Sequence, residues 1–313
     1  MELRIQQKKR LIMIKLWEKQ FDSERNANYF YKNNSLLTFT TQLRDFLITA
    51  KISSAQKRQA ILFCAHHFLH RQFEVNQYLD FPAKERKVLR NIYKKLFDEI
   101  EELNSVTQEE AGKAILKIET RHYRRLRHFL ERTNPFYKTI CRSCRSERLE
   151  KIACDEYSAL FQLKIFRLQD CTIDEVSPLL DIGCGEHAFL VKYLRKLGAI
   201  AYGFDRMQEN RRYLRKSNWF EFNYGVQRWQ TIISNLSFSS HFKAALCRND
   251  GTHEHFLKTY FDILKSLKQG GRWLYAPSLP EIEIKLSNEE YEIETFPVND
   301  KDTMTSIRKL ISV

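Results

Sequence analysis

Glycine and proline are scarce where the chain begins. Residues 1 to about 140 hold one glycine, Gly112, and two prolines, Pro82 and Pro135; a stretch so poor in chain breakers excludes a turn-rich β architecture and predicts helices. Long apolar runs are missing as well. None suffices for a signal peptide or a membrane span, which reads as a cytoplasmic chain with no membrane partner. The seven cysteines, at 64, 141, 144, 154, 171, 184 and 247, are scattered and odd in number, a pattern against a disulfide framework and for a reducing compartment. No repeat of fixed period and no low-complexity tract is visible. Acids fall short of bases, 39 against 52, for a formal net charge of +13. That surplus favours an anionic partner, nucleic acid first, with a merely solvated basic surface as the competing reading.

What is present divides the 313 residues into a helical module at 1–140, a connecting helical segment at 141–178 and a third region at 179–313. Leu11 to Phe21 is a short basic amphipathic piece, and Leu43, Phe46 and Leu47 mark a helical face within Leu36 to Ala50. Ser53-Ser54 cap a helix to about Leu79, Pro82 fits the first turn of one to about Leu103, and Thr107-Gln108-Glu109-Glu110 has the capping-box form. The helix opened by that box ends near Asn134-Pro135 and carries Arg121, Arg124, Arg125 and Arg127 with Tyr123 and Phe129 interleaved. Such density suits RNA phosphates, although Leu126, Phe129 and Leu130 serve equally to anchor an ordinary amphipathic helix.

The third region opens on Leu179-Leu180-Asp181-Ile182-Gly183-Cys184-Gly185, a short apolar run, an acid and two glycines, followed by a helix-like run from Ala188 to Leu197. This is a strand, a tight turn and a helix start, with Gly183 and Gly185 allowing a ligand to approach where a Cβ would collide. A second apolar run, Ala199 to Phe204, ends in Asp205, 24 residues after Asp181, where ribose hydroxyls are gripped in a βαβ unit. Neither GxGxxG nor GxxxxGK[ST] occurs, and the acid beside the turn suits a cationic ligand better than a pyrophosphate.

On these residues the chain resembles the class I S-adenosylmethionine-dependent methyltransferases over 179–313. The resemblance implies an α/β fold, a mostly parallel Rossmann-like sheet with a C-terminal antiparallel hairpin, preceded by the all-α module. It implies S-adenosylmethionine as cofactor, held by Asp181, Gly183, Cys184, Gly185, Asp205 and Arg206. Met207 to Ser217 reads as a basic helix, and Gln230 to Ser234 as a third strand ending at Asn235, where the family contacts adenine. Phe242 to Cys247 reads as a fourth strand whose end, Arg248-Asn249-Asp250, places Asn249 in the site. Exocyclic-amine methylases carry Asn/Asp-Pro-Pro-Tyr/Phe at that strand end. Its absence from 248–250 leaves a guanine ring nitrogen, which needs no general base, as the compatible acceptor. The catalytic residues stay unassigned. Lys268-Gln269-Gly270-Gly271 resembles the family's turn before a fifth strand, Arg272 to Ala276, and Tyr291 to Phe296 with Ile307 to Val313 forms the hairpin.

A second stretch, Ser143 to Leu149 with Asp155-Glu156-Tyr157, is similar to the segment before the cofactor fold in the aminoglycoside-resistance 16S ribosomal RNA methyltransferases. That likeness implies a helix through Ser146-Glu147-Arg148, with Arg148 on the methionine carboxylate; a surface salt bridge between Glu147 and Arg148 is the other reading. The family's histidine and threonine are not matched. Cys141 and Cys144 form one C-x2-C without a second pair, and His66, His67 and His70 lack the glutamate of a zinc-peptidase motif, so no metal is expected. The function implied is methyl transfer from S-adenosylmethionine to structured RNA. A small molecule or protein as acceptor, or an inactive binding module, stays open, as does the oligomeric state.

Overall fold

The computed structural model describes residues 2–152, 154, 156–248, 251–300 and 302–311, with side chains from residue 11 onward. Its contacts divide the chain into Met1–Ala153 and Cys154–Val313, so the stretch expected as a connector is shared between the two units.

The first unit is helical: α1 (Glu2–Ser23), α2 (Thr41–Thr49), α3 (Ser54–Val75), α4 (Ala83–Glu102), α5 (Gln108–Thr133) and α6 (Pro135–Ser143). Of the three predicted helix starts, Pro82 stands at the N-cap of α4, one residue ahead of the first turn where it was expected, and the other two form capping boxes. Ser53 and Thr107 accept from the backbone of Gln56 and Glu110, whose side chains return to the cap amides, closing two capping boxes. Pro135 opens α6, where its missing N–H is no loss. One apolar core, built around Trp17, Phe68, Tyr93, Phe97 and Phe129, unites the helices. The helix expected through Ser146-Glu147-Arg148 does not form. That stretch bends at Ser146 and Glu147: Arg148 bridges to Ala27, and the Glu147 carboxylate accepts from the amide and hydroxyl of Ser35 at 2.8 Å each, which holds it out of a helix.

The second unit is an α/β layer structure. Short helices α7 (Ala159–Ile165) and α8 (Ile173–Val176) precede β1 (Leu179–Ile182), α9 (Phe189–Lys196), β2 (Ala201–Asp205), β3 (Leu214–Lys216) and β4 (Trp229–Asn235). Then follow α10 (Phe238–Arg248), α11 (His253–Ser266), β5 (Leu267–Ala276), α12 (Pro280–Glu283), β6 (Tyr291–Pro297) and β7 (Thr303–Lys309). The seven strands lie in the order β3-β2-β1-β4-β5-β7-β6, parallel except for β7, which runs against both neighbours. Period-two alternation sends Leu180 and Ile182 to one face, under Phe242, Phe256 and Tyr260, and Leu179 to the other, under Leu163, Leu190 and Leu194.

Two expected elements differ. Residues 207–217 hold no helix but a turn and the three-residue β3, in which only Leu214 is buried, too short a run to show a period. Phe242 to Cys247 belongs to α10, because Phe238, Phe242 and Ala245 recur at helical spacing on one buried face. A run of six residues fits either element, and here the neighbouring Phe238 decides it. With β3 ahead of it, the strand ending at Asn235 is the fourth rather than the third, and it lies beside β1. Gly270 and Gly271 lie inside β5, at an irregularity in its pairing with β4, rather than in a turn before it, so the strand expected from Arg272 starts at Leu267.

Candidate functional site

The strand order reverses direction at β1, which has β2 on one side and β4 on the other. Crevices at the carboxyl ends of such strands are where open α/β sheets receive ligands. Here the chain turns sharply: the amides of Gly183 and Cys184 both donate to the Phe204 carbonyl, at 2.9 and 3.2 Å. Gly183 (φ +74°) and Gly185 (φ +72°) are left-handed, and each faces a close neighbour. A Cβ on Gly183 would lie 2.5 Å from Ser237 Cβ, and one on Gly185 would lie 2.5 Å from Glu156 Cδ. Ser237 is fixed in place by donating to the Ile182 carbonyl at 2.6 Å.

Asp205 ends β2 as expected, and its two oxygens accept from the Met207 amide at 2.7 Å and the Gly185 amide at 3.3 Å. Gln208, buried, donates to the carbonyls of Gly185 and Glu186 at 2.6 Å each and so stitches the loop to the β2 end. Asp181 is 2 % exposed and, among the described residues, nothing donates to its carboxylate. Burial first, then the charges of Asp205 and Glu156, pushes its carboxyl up to about 8. Asp205 is also raised by burial, against the pull of the Met207 amide and the Arg206 charge. The Cys184 thiol is raised well above its ordinary value, by burial and then by Asp181 and Asp205. Backbone amides and Arg206 offset part of the Asp205 charge, whereas Asp181 has no donor among the described residues, so a ligand carrying positive charge suits this crowd of carboxylates.

Asn235, at the end of β4, has a buried side-chain carbonyl oxygen with no hydrogen-bond partner among the described residues. The next residue, Leu236, is held at φ +48°, a strained position for a branched side chain. Asn235-Leu236-Ser237-Phe238 therefore stands where the sequence reading placed 248–250. Phe238 is wholly buried against Trp219, Phe256 and Trp273 and offers no open ring. Asn249 lies outside the described residues. Sequence reasoning missed Glu156, Gln208 and Ser237 as parts of the loop. A glutamine three residues past Asp205 and a serine two past Asn235 carry no signal until the turns bring them back.

The remaining candidates belong to the first unit. The Arg148 guanidinium donates to the Arg25 carbonyl. Of the four arginines on α5, Arg121 and Arg125 pair with Glu99, Arg127 donates to the Tyr29 carbonyl at 2.6 Å, and Arg124 is exposed. Cys141 is buried beside Tyr137, and burial pushes its thiol up to about 12. His67 stacks on Phe63 with centroids 3.9 Å apart, and His70 pairs with Glu74 at 3.6 Å. Among the described residues no group of three or more His, Cys, Asp or Glu is placed to hold a metal ion.

No protein-family model and no curated protein matches the chain. Among solved structures it is similar to the 1,6-didemethyltoxoflavin-N1-methyltransferase of Burkholderia thailandensis with S-adenosylhomocysteine bound, at 13 % identity and TM-score 0.35, covering 50 % of this chain and 80 % of that one. It is also similar to a SAM-dependent methyltransferase of Bacteroides fragilis with S-adenosyl-L-homocysteine, at 12 % identity and TM-score 0.31, over 47 % of this chain and 81 % of that one. A third is TrmN of Thermus thermophilus, at 13 % identity and TM-score 0.33, over 50 % of each chain. At such scores none of these decides the chemistry of this chain; its fold is defined by its own strand order and register, an α/β Rossmann-like sheet with an antiparallel pair at one edge.

Proposed function

We propose that the chain is an S-adenosylmethionine-dependent methyltransferase. The observation that carries this reading is the carboxylate-ringed glycine loop, with Asp181 buried and without a hydrogen-bond donor among the described residues, at the reversal point of the β3-β2-β1-β4-β5-β7-β6 sheet. A cofactor bearing a sulfonium and an ammonium offsets that charge, and the half-paired oxygens of Asp205 have lone pairs left for ribose hydroxyls. Bound there, the cofactor supplies an activated methyl group. The chain's part is to hold the acceptor and exclude water. The expectation of a guanine ring nitrogen rested on a strand end at Arg248; with Asn235 in that place, an orphaned carbonyl oxygen suits an acceptor nitrogen that has an N–H to donate. Titration calorimetry with S-adenosylmethionine and S-adenosylhomocysteine tests the reading, and no heat with either overturns it.

RNA as the acceptor is supported by how the charge is shared. Residues 1–153 hold 31 Lys and Arg against 18 Asp and Glu, 31 − 18 = +13, whereas residues 154–313 hold 21 of each and balance. The whole surplus lies on the helical unit, which fits a polyanion docked by that unit and methylated by the other. Incubating the protein with methyl-tritiated cofactor and separated RNA, protein and small-molecule fractions tests this. Label confined to protein or small molecules removes RNA, and cofactor binding without label in any fraction favours an inactive module.

A further inference from the structure

Glu156 occupies the face that Gly185 leaves open. Its Oε1 accepts from the amides of Glu186 and His187, the latter at 3.1 Å, and its Oε2 accepts from His187 at 3.1 Å. Its Cγ, Cδ and Oε1 all lie within 3 Å of where a Gly185 Cβ would be. This third carboxylate joins a site already holding Asp181 and Asp205, and its charge is among those that act on Asp181. Repulsion from two acids opposes such a position, so what keeps it there is the pair of converging backbone amides, which bind a carboxylate through charge-assisted bonds. Glu156 is also easily removed. The residue is exposed and lies in a stretch without regular structure ahead of the Ser158 cap of α7, so withdrawal returns its carboxylate to water without unpacking a core.

We propose that the amides of Glu186 and His187 are the seat of the cofactor's amino-acid carboxylate, and that Glu156 is an internal stand-in which the ligand must displace. The inference rests on the methyltransferase reading. It follows from matched chemistry: a two-amide cradle already selects a carboxylate, the cofactor carries one, and its cationic groups meet the acids that Glu156 now crowds. Because the seat is shared, apparent affinity falls by the fraction of time Glu156 holds it.

The test compares S-adenosylhomocysteine with 5′-methylthioadenosine, which shares the adenosine and thioether but lacks the amino-acid portion. Each is titrated calorimetrically into the full chain, its Glu156→Ala variant and its Glu156→Gln variant. Replacing Glu156 by alanine is expected to tighten S-adenosylhomocysteine on the order of tenfold and to leave methylthioadenosine unchanged; glutamine, uncharged but still an acceptor, falls between. Weaker S-adenosylhomocysteine binding with methylthioadenosine unchanged makes Glu156 a partner of the ammonium and overturns the proposal, while the methyltransferase reading stands. Equal shifts for both ligands in both variants make it a structural brace and overturn the proposal likewise. No heat with either ligand in any of the three proteins overturns the reading and the inference together.

Discussion

Asp181 shows how one side chain ties stability to binding. Its carboxyl is pushed up to about 8 from an ordinary 3.8, so between those values the folded chain holds a proton that the unfolded chain gives up. Stability from this group is therefore fully present near pH 4, falls as pH rises through the window, and levels off above about 8. Asp205, also raised, adds to the same slope, while His122, lowered to about 3 by burial, takes stability away as pH falls below 6.5. The difference between wild type and Asp181→Asn isolates the first effect. Without ligand, the variant is expected to gain about 2 to 5 kcal/mol relative to wild type between pH 5 and pH 8.5, read from urea denaturation at both values. A cation bound beside Asp181 favours the ionised form, so cofactor binding at pH 7 should release a proton, seen as a binding heat that varies with the ionisation enthalpy of the buffer. A binding heat identical in all buffers would mean that the ligand does not meet this carboxylate. Asp205→Ala, which removes a charged acceptor at the ribose position, is expected to weaken the cofactor by about 1 to 3 kcal/mol in the same calorimeter.

At the scale of elements, glycines separate what local rules settle from what packing settles. Gly112 lies within α5 with nothing near its absent Cβ, so Gly112→Ala should stabilise the chain by about 0.5 to 1 kcal/mol. Gly271 lies in β5, where a Cβ would come within 2.9 to 3.1 Å of the carbonyls of Trp229, Lys268 and Gln230. Gly271→Ala should destabilise by about 1 to 3 kcal/mol, and denaturation curves of the two variants must move in opposite directions. The same division explains what was legible in the sequence. The caps at Ser53 and Thr107, the loop from Asp181 to Gly185 and the acid at Asp205 are local patterns and appear where expected. The α10 segment was not legible, because Phe242 to Cys247 fits a strand or a helix until Phe238 joins its face. Together with the unread β3, that error moved the substrate end of the sheet from Asn235 to Arg248, a shift of 13 residues. Glu156 was hidden for a different reason: its partners lie 30 and 31 residues away, and no spacing rule links a loop glutamate to backbone amides.

Across the whole molecule, net charge is unevenly placed, and not every basic residue on the helical unit is available to a partner. Arg121 and Arg125 straddle Glu99, and Arg127 holds the Tyr29 carbonyl, so these three are committed to joining α5 to its neighbours. Arg124 is exposed on the same helix, and α4 exposes Lys84, Lys87, Arg90 and Lys95. The row of arginines in the sequence thus splits into two jobs that one substitution type distinguishes. Arg125→Glu sets a second acid against half-buried Glu99 and is expected to lower stability by about 1 to 3 kcal/mol. Arg124→Glu leaves the fold unchanged within about 0.5 kcal/mol, as exposed substitutions do, and acts on the partner instead. If the helical unit docks RNA, Arg124→Glu weakens binding and flattens the plot of log affinity against log salt by about 0.7 to 0.9, the slope that goes with one phosphate no longer neutralised. Adding Lys87→Glu deepens both effects. Filter binding or anisotropy with a structured RNA at several salt concentrations, alongside denaturation of each variant, makes the comparison. Equal RNA affinity and equal salt slope for wild type and the Arg124→Glu, Lys87→Glu double variant would assign the surplus charge to solvation. The acceptor would then have to be sought among small molecules and proteins.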